Sequence, residues 1–124
     1  AINPAVPNWQ TKELALSYPI GYDKTMINFQ RSDEFDAWLA ALKDKQSRAR
    51  IAHRIRAAEH GTFGDCEPVG KGVSDMRIHC GPGYRVYFTR RGETIYLLLV
   101  GGDKSTQKRD IKRAIEMAHA LDKE

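Results

Sequence analysis

Two arginines, a histidine and a tyrosine alternate along the two segments that flank the turn signal Gly81-Pro82-Gly83. Arg77 and His79 precede this signal, and Arg85 and Tyr87 follow it. If these three turn residues join two antiparallel strands, His79 lies opposite Arg85 and Arg77 lies opposite Tyr87, so the four side chains share one face. Arginine offers a fixed fork of donors for phosphate, histidine transfers protons near neutral pH, and tyrosine supplies a stacking surface. The spacing therefore predicts a surface that binds RNA and cleaves it.

The same alternation is also typical of a solvated strand face that has no function. The clustering depends on turn length, because a one-residue shift in a turn moves every side chain of the next strand to the other face. By the same reasoning, a two-residue turn at Arg91-Gly92 places Tyr96 beside the four residues. Function and solvated face therefore both stay open for this surface.

A second group of basic residues lies between Lys43 and His60, a segment that holds six lysines and arginines against two acidic residues. The whole chain carries a net charge of +4. This clustering favours a polyanion or an acidic partner protein, although the solvated face of a helix gives the same pattern. The candidate RNA-binding residues are Tyr96, Lys71, Arg48, Arg50, Arg54 and Arg56.

The elements that must position these residues follow from the hydrophobic periodicity. Phe29 and its neighbours alternate as a short strand, and Ser32 and Asp33 are good N-cap residues before a helical stripe of apolar residues. We expect helices over about 33–43 and 46–60, a loop over 62–72, strands over 73–80, 84–90 and 94–100, and a last helix from about 105. This order predicts an α+β fold, with an N-terminal helical hairpin packed on a small antiparallel sheet of three to four strands and a C-terminal helix.

The chain divides by composition into two parts. Residues 1–25 hold three of the five prolines and show little periodicity, so we predict an N-terminal extension that forms an ordered arm. Residues 26–124 are long enough for one domain with one core. We therefore expect a single folded domain behind an arm whose role the sequence leaves open.

Several classes of protein are excluded by composition. No apolar run approaches the roughly 20 residues of a membrane helix and no signal peptide is visible, so we expect a soluble, cytoplasmic protein without a membrane partner. Cys66 and Cys80 form no CxxC pair, and no His, Cys, Asp or Glu spacing resembles a metal site. Neither a metal nor a cofactor is expected, while both a monomer and a homodimer are compatible with the sequence.

Five blocks of the sequence resemble the RelE/ParE toxin superfamily, in particular its HigB-like branch of addiction-module killer proteins. In order, these blocks are Phe35-Asp36-Ala37-Trp38-Leu39, Pro68-Val69-Gly70, Arg77-Ile78-His79, Gly81-Pro82-Gly83-Tyr84-Arg85-Val86-Tyr87-Phe88 and Gly101-Gly102-Asp103-Lys104-Ser105-Thr106-Gln107. The similarity extends over about residues 26–121. It implies the toxin of a type II toxin-antitoxin pair, held inactive by a small antitoxin protein. In RelE-type members it further implies ribosome-dependent cleavage of mRNA without a metal, by attack of a ribose 2′-hydroxyl on the adjacent phosphate.

The resemblance also implies roles for single residues. Arg77 and His79 fall where RelE-type toxins place two lysines. Arg85 matches a phosphate-binding arginine, and Lys104 stands where those toxins have another arginine. Because arginine stays protonated, His79 is the candidate base and Arg77 is expected to orient phosphate. Arg85 and Lys104 are expected to stabilise charge in the transition state. The C-terminal stacking tyrosine of RelE has no counterpart, and Tyr87 is the candidate substitute.

Two other functions stay open beside the nuclease. The first is a ParE-like toxin that inhibits gyrase and has no nuclease activity. The second is a catalytically inactive toxin relative that binds RNA, since only Arg85 matches the RelE residues in identity. The predicted open basic face favours the nuclease.

Overall fold

The computed structural model describes residues 9–11, 27–93 and 95–122. The helices are α1 (Asp33–Ala41), α2 (Lys45–Glu59) and α3 (Gln107–Asp122), and a 3-10 turn (Lys104–Thr106) precedes the last of them. The strands are β1 (Trp9–Thr11), β2 (Asn28–Ser32), β3 (Cys66–Gly70), β4 (Val73–Ile78), β5 (Tyr84–Arg91) and β6 (Ile95–Asp103). None of the described helices combines the length and the apolar character needed to span a membrane.

The strands form one mixed sheet in the order β1-β2-β6-β5-β4-β3. β2 pairs with β6 in parallel, and the other neighbours are antiparallel. The predicted N-terminal helical hairpin on a three- to four-stranded antiparallel sheet is therefore wrong. β1 and β2 precede the helices, so α1 and α2 lie in the middle of the chain. Five strands of five to nine residues accompany the three-residue β1.

Two strands lie where the sequence predicts none. β3 falls in the segment expected to be a loop because it contains Pro68 and Gly70. It is an edge strand, and an edge tolerates proline because an outward N–H has no neighbouring strand to bond. β1 falls within the predicted extension and pairs with β2. The rest of that predicted arm, residues 1–8 and 12–25, lies outside the described residues, and the division at residue 26 stays a prediction.

β6 runs through Gly101 and Gly102 to Asp103, whereas the sequence predicts a strand that ends at residue 100. A Cβ on Gly101 would lie 2.3 Å from ring atoms of Trp38 in α1, and a Cβ on Gly102 would overlap the carboxylate of Asp110 in α3. The glycines therefore let a helix approach the strand closely, one on each face, and do not mark a chain reversal.

The first helix begins at the predicted cap Ser32, and the second begins at a cap, Asp44, that was not predicted. The Ser32 hydroxyl accepts a hydrogen bond from the Phe35 N–H at 2.9 Å and donates one to the carbonyl oxygen of Leu99 at 2.6 Å. The Asp44 carboxylate caps α2 by accepting from the Gln46 N–H at 3.0 Å. The bonds from the Phe35 and Gln46 N–H groups satisfy donors that a helix leaves without an internal partner. The Ser32 bond also anchors α1 to β6.

Both faces of the sheet are covered. On one face, α1 and α2 pack on a cluster that includes Phe29, Phe35, Ile51, Met76 and Val86. On the other face, α3 packs on a second cluster that includes Tyr87, Leu99, Val100 and Met117. The face expected to be open is therefore covered by α3 around Tyr87, while Arg77 near the end of the sheet stays one-third exposed.

Candidate functional site

The hairpin that carries the predicted catalytic residues has a longer loop than expected. β4 ends at Ile78, and residues 79–83 connect it to β5, so Arg77 pairs directly with Arg85 and Asp75 pairs with Tyr87. The predicted pairing is two residues out of register. Because two residues are one full period of a strand, Arg77, Arg85 and Tyr87 still share a face.

A buried carboxylate lies between the two arginines. Asp75 is fully buried, and its oxygens contact Arg85 Nη1 at 2.7 Å and Arg77 Nε at 3.3 Å. The Arg85 side chain is 13% exposed and that of Arg77 34% exposed. The carboxylate therefore neutralises one of two adjacent cations, and the group presents about one net positive charge at the sheet end. The alternation that singled out Arg77 places Asp75 on the same face, which is the signal that could have found it.

His79 forms an exposed pair with a carboxylate. Its Nε2 lies 2.7 Å from Asp65 Oδ2, with side chains 70% and 44% exposed. The hydrogen bond to His79 lowers the pKa of Asp65, so this carboxylate is ionised at neutral pH and only accepts. Nε2 then donates to Asp65, so in a neutral imidazole Nδ1 is the nitrogen that accepts. Sequence reasoning missed Asp65 because it lies in a loop 14 residues away with no spacing signal.

Lys104 lies at the same end of the sheet. Its N–H donates to the carbonyl oxygen of Gly83 at 3.2 Å, and its side-chain carbons pack beside that glycine. The end of β4, the start of β5 and the end of β6 meet there, since Ile78 pairs with Tyr84 and Tyr84 with Asp103. The structure thus brings His79 and Lys104 to one end of the sheet, with the directly paired Arg77 and Arg85 one strand position further in.

Neither predicted tyrosine joins this group. Tyr87 is fully buried under α3, and the desolvation raises its pKa to about 12. Its ring is therefore not available to stack on a base. Tyr96 lies on the opposite face, with its ring centroid 5.1 Å from that of Phe63. The turn after β5 has three residues, so Tyr96 pairs with Arg90, whereas a two-residue turn at Arg91-Gly92 would pair it with Tyr87.

Replacing Tyr87 with phenylalanine is expected to leave the free energy of unfolding unchanged or to raise it by up to about 1 kcal/mol. The Tyr87 hydroxyl is buried and has no hydrogen-bond partner among the described residues, so its removal relieves an unmet desolvation cost. Urea unfolding measures this change. Thr89→Val is the control, because the Thr89 hydroxyl donates to the Gly72 carbonyl at 2.7 Å and its loss should destabilise. A clear loss of stability in Tyr87→Phe would mean that the hydroxyl is bonded.

The predicted RNA-binding residues are spread over the molecule. Arg54 donates hydrogen bonds to the carbonyl oxygens of Arg77 and Phe63, so it fastens α2 to the sheet. The other three arginines also lie on α2, where Arg50 and Arg56 are exposed and Arg48 is half-buried. Lys71 lies in the turn before β4, at the opposite end of that strand from His79.

The groups at this end of the sheet suit acid–base chemistry and the binding of anions. A histidine with a free ring nitrogen, a carboxylate that orients it and the nearby cations can move a proton and hold a phosphate. Within the ranges that the structure describes, no three His, Cys, Asp or Glu side chains come together as a metal-binding group.

Comparison with known proteins places this chain in a family. Residues 37–123 match the model of the family described as phage-derived protein Gp49-like (DUF891). A Haemophilus influenzae protein described as an uncharacterized protein is 45% identical over 95 residues, which are 77% of this chain and 96% of that protein. Both Asp65 and Asp75 and all the predicted catalytic residues fall within the matched segment. The chain therefore belongs to the Gp49-like family, a family of RelE/HigB-type, toxin-like proteins whose members are often toxins of toxin-antitoxin systems.

Proposed function

We propose that this protein is the toxin of a type II toxin-antitoxin system, of the HigB-like branch, and that it cleaves mRNA on the ribosome in the cytoplasm. Family membership supports the toxin role and a cognate antitoxin as partner. The observation that carries the nuclease activity is the exposed His79–Asp65 pair, because it supplies an oriented proton acceptor beside cations.

Cleavage by this pair needs only groups of the protein and the RNA. Nδ1 of neutral His79 takes the proton of a ribose 2′-hydroxyl while the 2′-oxygen bonds to the adjacent phosphorus. The bond from phosphorus to the 5′-oxygen breaks, and that oxygen takes up the proton that the His79 imidazolium gives back, relayed by water. The products are a 2′,3′-cyclic phosphate and a 5′-hydroxyl end. Asp65 holds the ring in the required tautomer and stabilises the charged imidazolium as it forms.

The cations at this end of the sheet bind the reacting phosphate. Lys104 is exposed and Arg77 is one-third exposed, so both reach a ligand at this end. Arg85 is tied to Asp75 by one nitrogen, and a guanidinium has further donors for a phosphate oxygen. The negative charge that grows on the phosphate in the transition state is the charge that these groups stabilise.

The experiment that tests the proposal is cleavage of a defined mRNA on purified ribosomes, with the new ends mapped and their chemistry determined. The expected result is a set of cuts that requires translating ribosomes and leaves 2′,3′-cyclic phosphate and 5′-hydroxyl ends. Ends with a 5′-phosphate would contradict the attack by the 2′-hydroxyl. The absence of any cut, with and without ribosomes, would overturn the nuclease.

One observation favours a second candidate, a toxin relative that binds RNA without cutting it. Asp75 engages both Arg77 and Arg85, so fewer of their donors are left for a transition state. This candidate expects ribosome or RNA binding with no product ends in the same assay. If binding is absent as well, inhibition of gyrase supercoiling is the assay that tests the remaining toxin mechanism.

A further inference from the structure

A polar cleft of about 580 Å³ lies between α2 and the loop that carries His79. Gln46, Arg50 and His53 line it from the helix, and Cys80 and Gly81 line it from the loop. These three helix positions are spaced by four and three residues and so share one face of α2. The cleft is bordered by Cys80, the residue that follows the candidate base in the chain, and His79 itself lies outside the lining.

The charges in the cleft differ from one end to the other. Arg50 and His53 lie at one end, where they offer donors to an anion. Asp44 lies at the other end, where hydrogen bonds from Ser47 lower its pKa and keep it ionised. A phosphate is favoured beside Arg50 and disfavoured beside Asp44, whereas the Asp44 carboxylate and the Gln46 amide suit the polar edge of a base.

The two walls of the cleft are fastened to each other. The Cys80 thiol lies 3.4 Å from the Ser47 hydroxyl, and Ser47 donates to Asp44 at 2.7 Å. Arg54 bonds the carbonyl oxygen of Arg77, two residues before His79. The distance from the cleft to His79 is thus fixed by packing, which a subsite next to a reacting bond requires.

We propose that this cleft binds one unpaired nucleotide of the mRNA next to the cleaved bond, with its phosphate on Arg50 and His53 and its base towards Asp44 and Gln46. The proposal rests on the proposed function and names a nucleotide subsite for it. The RNA strand then crosses the loop from α2 over His79 to Lys104, because the loop contacts Ser47 through Cys80 and Lys104 through Gly83. Neither Arg48 nor Arg56 lines the cleft, although both lie on the same helix.

Crosslinking tests the placement without requiring cleavage. The His79→Ala protein is bound to ribosomes programmed with an mRNA that carries 4-thiouridine next to the mapped cut, or at the corresponding decoding position if no cut is found. After irradiation, the expected crosslinks lie within residues 44–53, and Arg50→Gln reduces their yield. Crosslinks confined to α3, or no crosslink to the protein, would overturn the subsite.

Steady-state cleavage supplies a second readout with matched controls. Arg50→Gln is expected to raise KM about tenfold, as for a lost charged hydrogen bond, with little change in kcat. Lys45→Gln in α2 and Lys112→Gln in α3 each remove one exposed positive charge outside the cleft and should stay within about twofold of wild type. Equal effects of the three variants would overturn the subsite.

The outcomes separate the two proposals. If Arg50→Gln cleaves normally and the crosslinks lie elsewhere, the proposed subsite is wrong but the proposed nuclease activity is not contradicted. If the wild-type protein does not cleave but crosslinks within residues 44–53 depend on Arg50, the subsite is supported and the nuclease activity is contradicted. A variant Arg50→Gln that binds the antitoxin less tightly but crosslinks to mRNA normally would assign the cleft to a protein partner and overturn the subsite.

Discussion

Replacing His79 with alanine is expected to lower the rate of mRNA cleavage by about 10²- to 10⁴-fold, the usual contribution of a general base. The imidazole is the candidate proton acceptor here, because the adjacent cations are all donors and the carboxylate of Asp75 is buried and bonded to both arginines. The His79 side chain is 70% exposed, so the variant should keep its stability to within about 0.5 kcal/mol. Single-turnover cleavage on programmed ribosomes measures the effect apart from binding.

Two further variants provide a control and a comparison for this result. His119→Ala removes an exposed histidine from α3 and should cleave at the wild-type rate. Asp65→Asn should lower the rate less than His79→Ala, because Asp65 acts only through the orientation and charge of the ring. A His79→Ala protein that cleaves as fast as wild type would refute the role of His79 as the base, whatever the behaviour of Asp65→Asn.

How much of the site could be predicted depended on whether each turn differed from its expected length by an even or an odd number of residues. The loop after β4 is two residues longer than expected, and an even difference leaves each side chain on its predicted face, so Arg77 and Arg85 were placed together correctly. The turn after β5 is one residue longer than expected, and an odd difference moved Tyr96 to the opposite face. Sequence patterns give the strands, but turn length follows from glycine conformations that the pattern does not specify, such as the positive φ at Gly81, Gly83 and Gly92.

The rest of the site depends on contacts between distant segments. The alternation of β5 predicted that Tyr87 lies on the same face as the arginines. The packing of α3, which the alternation does not record, buries this face at Tyr87 and leaves it exposed at the end of the sheet. Asp65 reaches His79 because Arg77 N–H donates to the Asp65 carbonyl at 2.9 Å, a loop contact that no periodicity records. The capping residue Ser32, by contrast, acts locally and was predicted from its type alone.

Replacing Asp75 with asparagine is expected to lower the free energy of unfolding by about 3–5 kcal/mol. Asp75 is fully buried and is bonded to both Arg77 and Arg85, which pair directly across the strands. Without the carboxylate, two guanidinium groups face each other, and that of Arg85 is mostly shielded from water. A typical domain is stable by about 5–15 kcal/mol, so this loss should appear as a large shift of the urea midpoint.

A second ion pair provides the control for this effect. Arg91 and Asp122 lie 2.6 Å apart but are 37% and 61% exposed, so Asp122→Asn should cost at most about 1 kcal/mol. The double variant Asp75→Asn/Arg85→Gln should cost less than the sum of its two single variants, because the second change removes the cation that the first leaves unpaired. Additive costs would show that Asp75 does not stabilise Arg85. In that case the arginine is free for phosphate, and the argument for a toxin relative that binds RNA without cutting it loses its support.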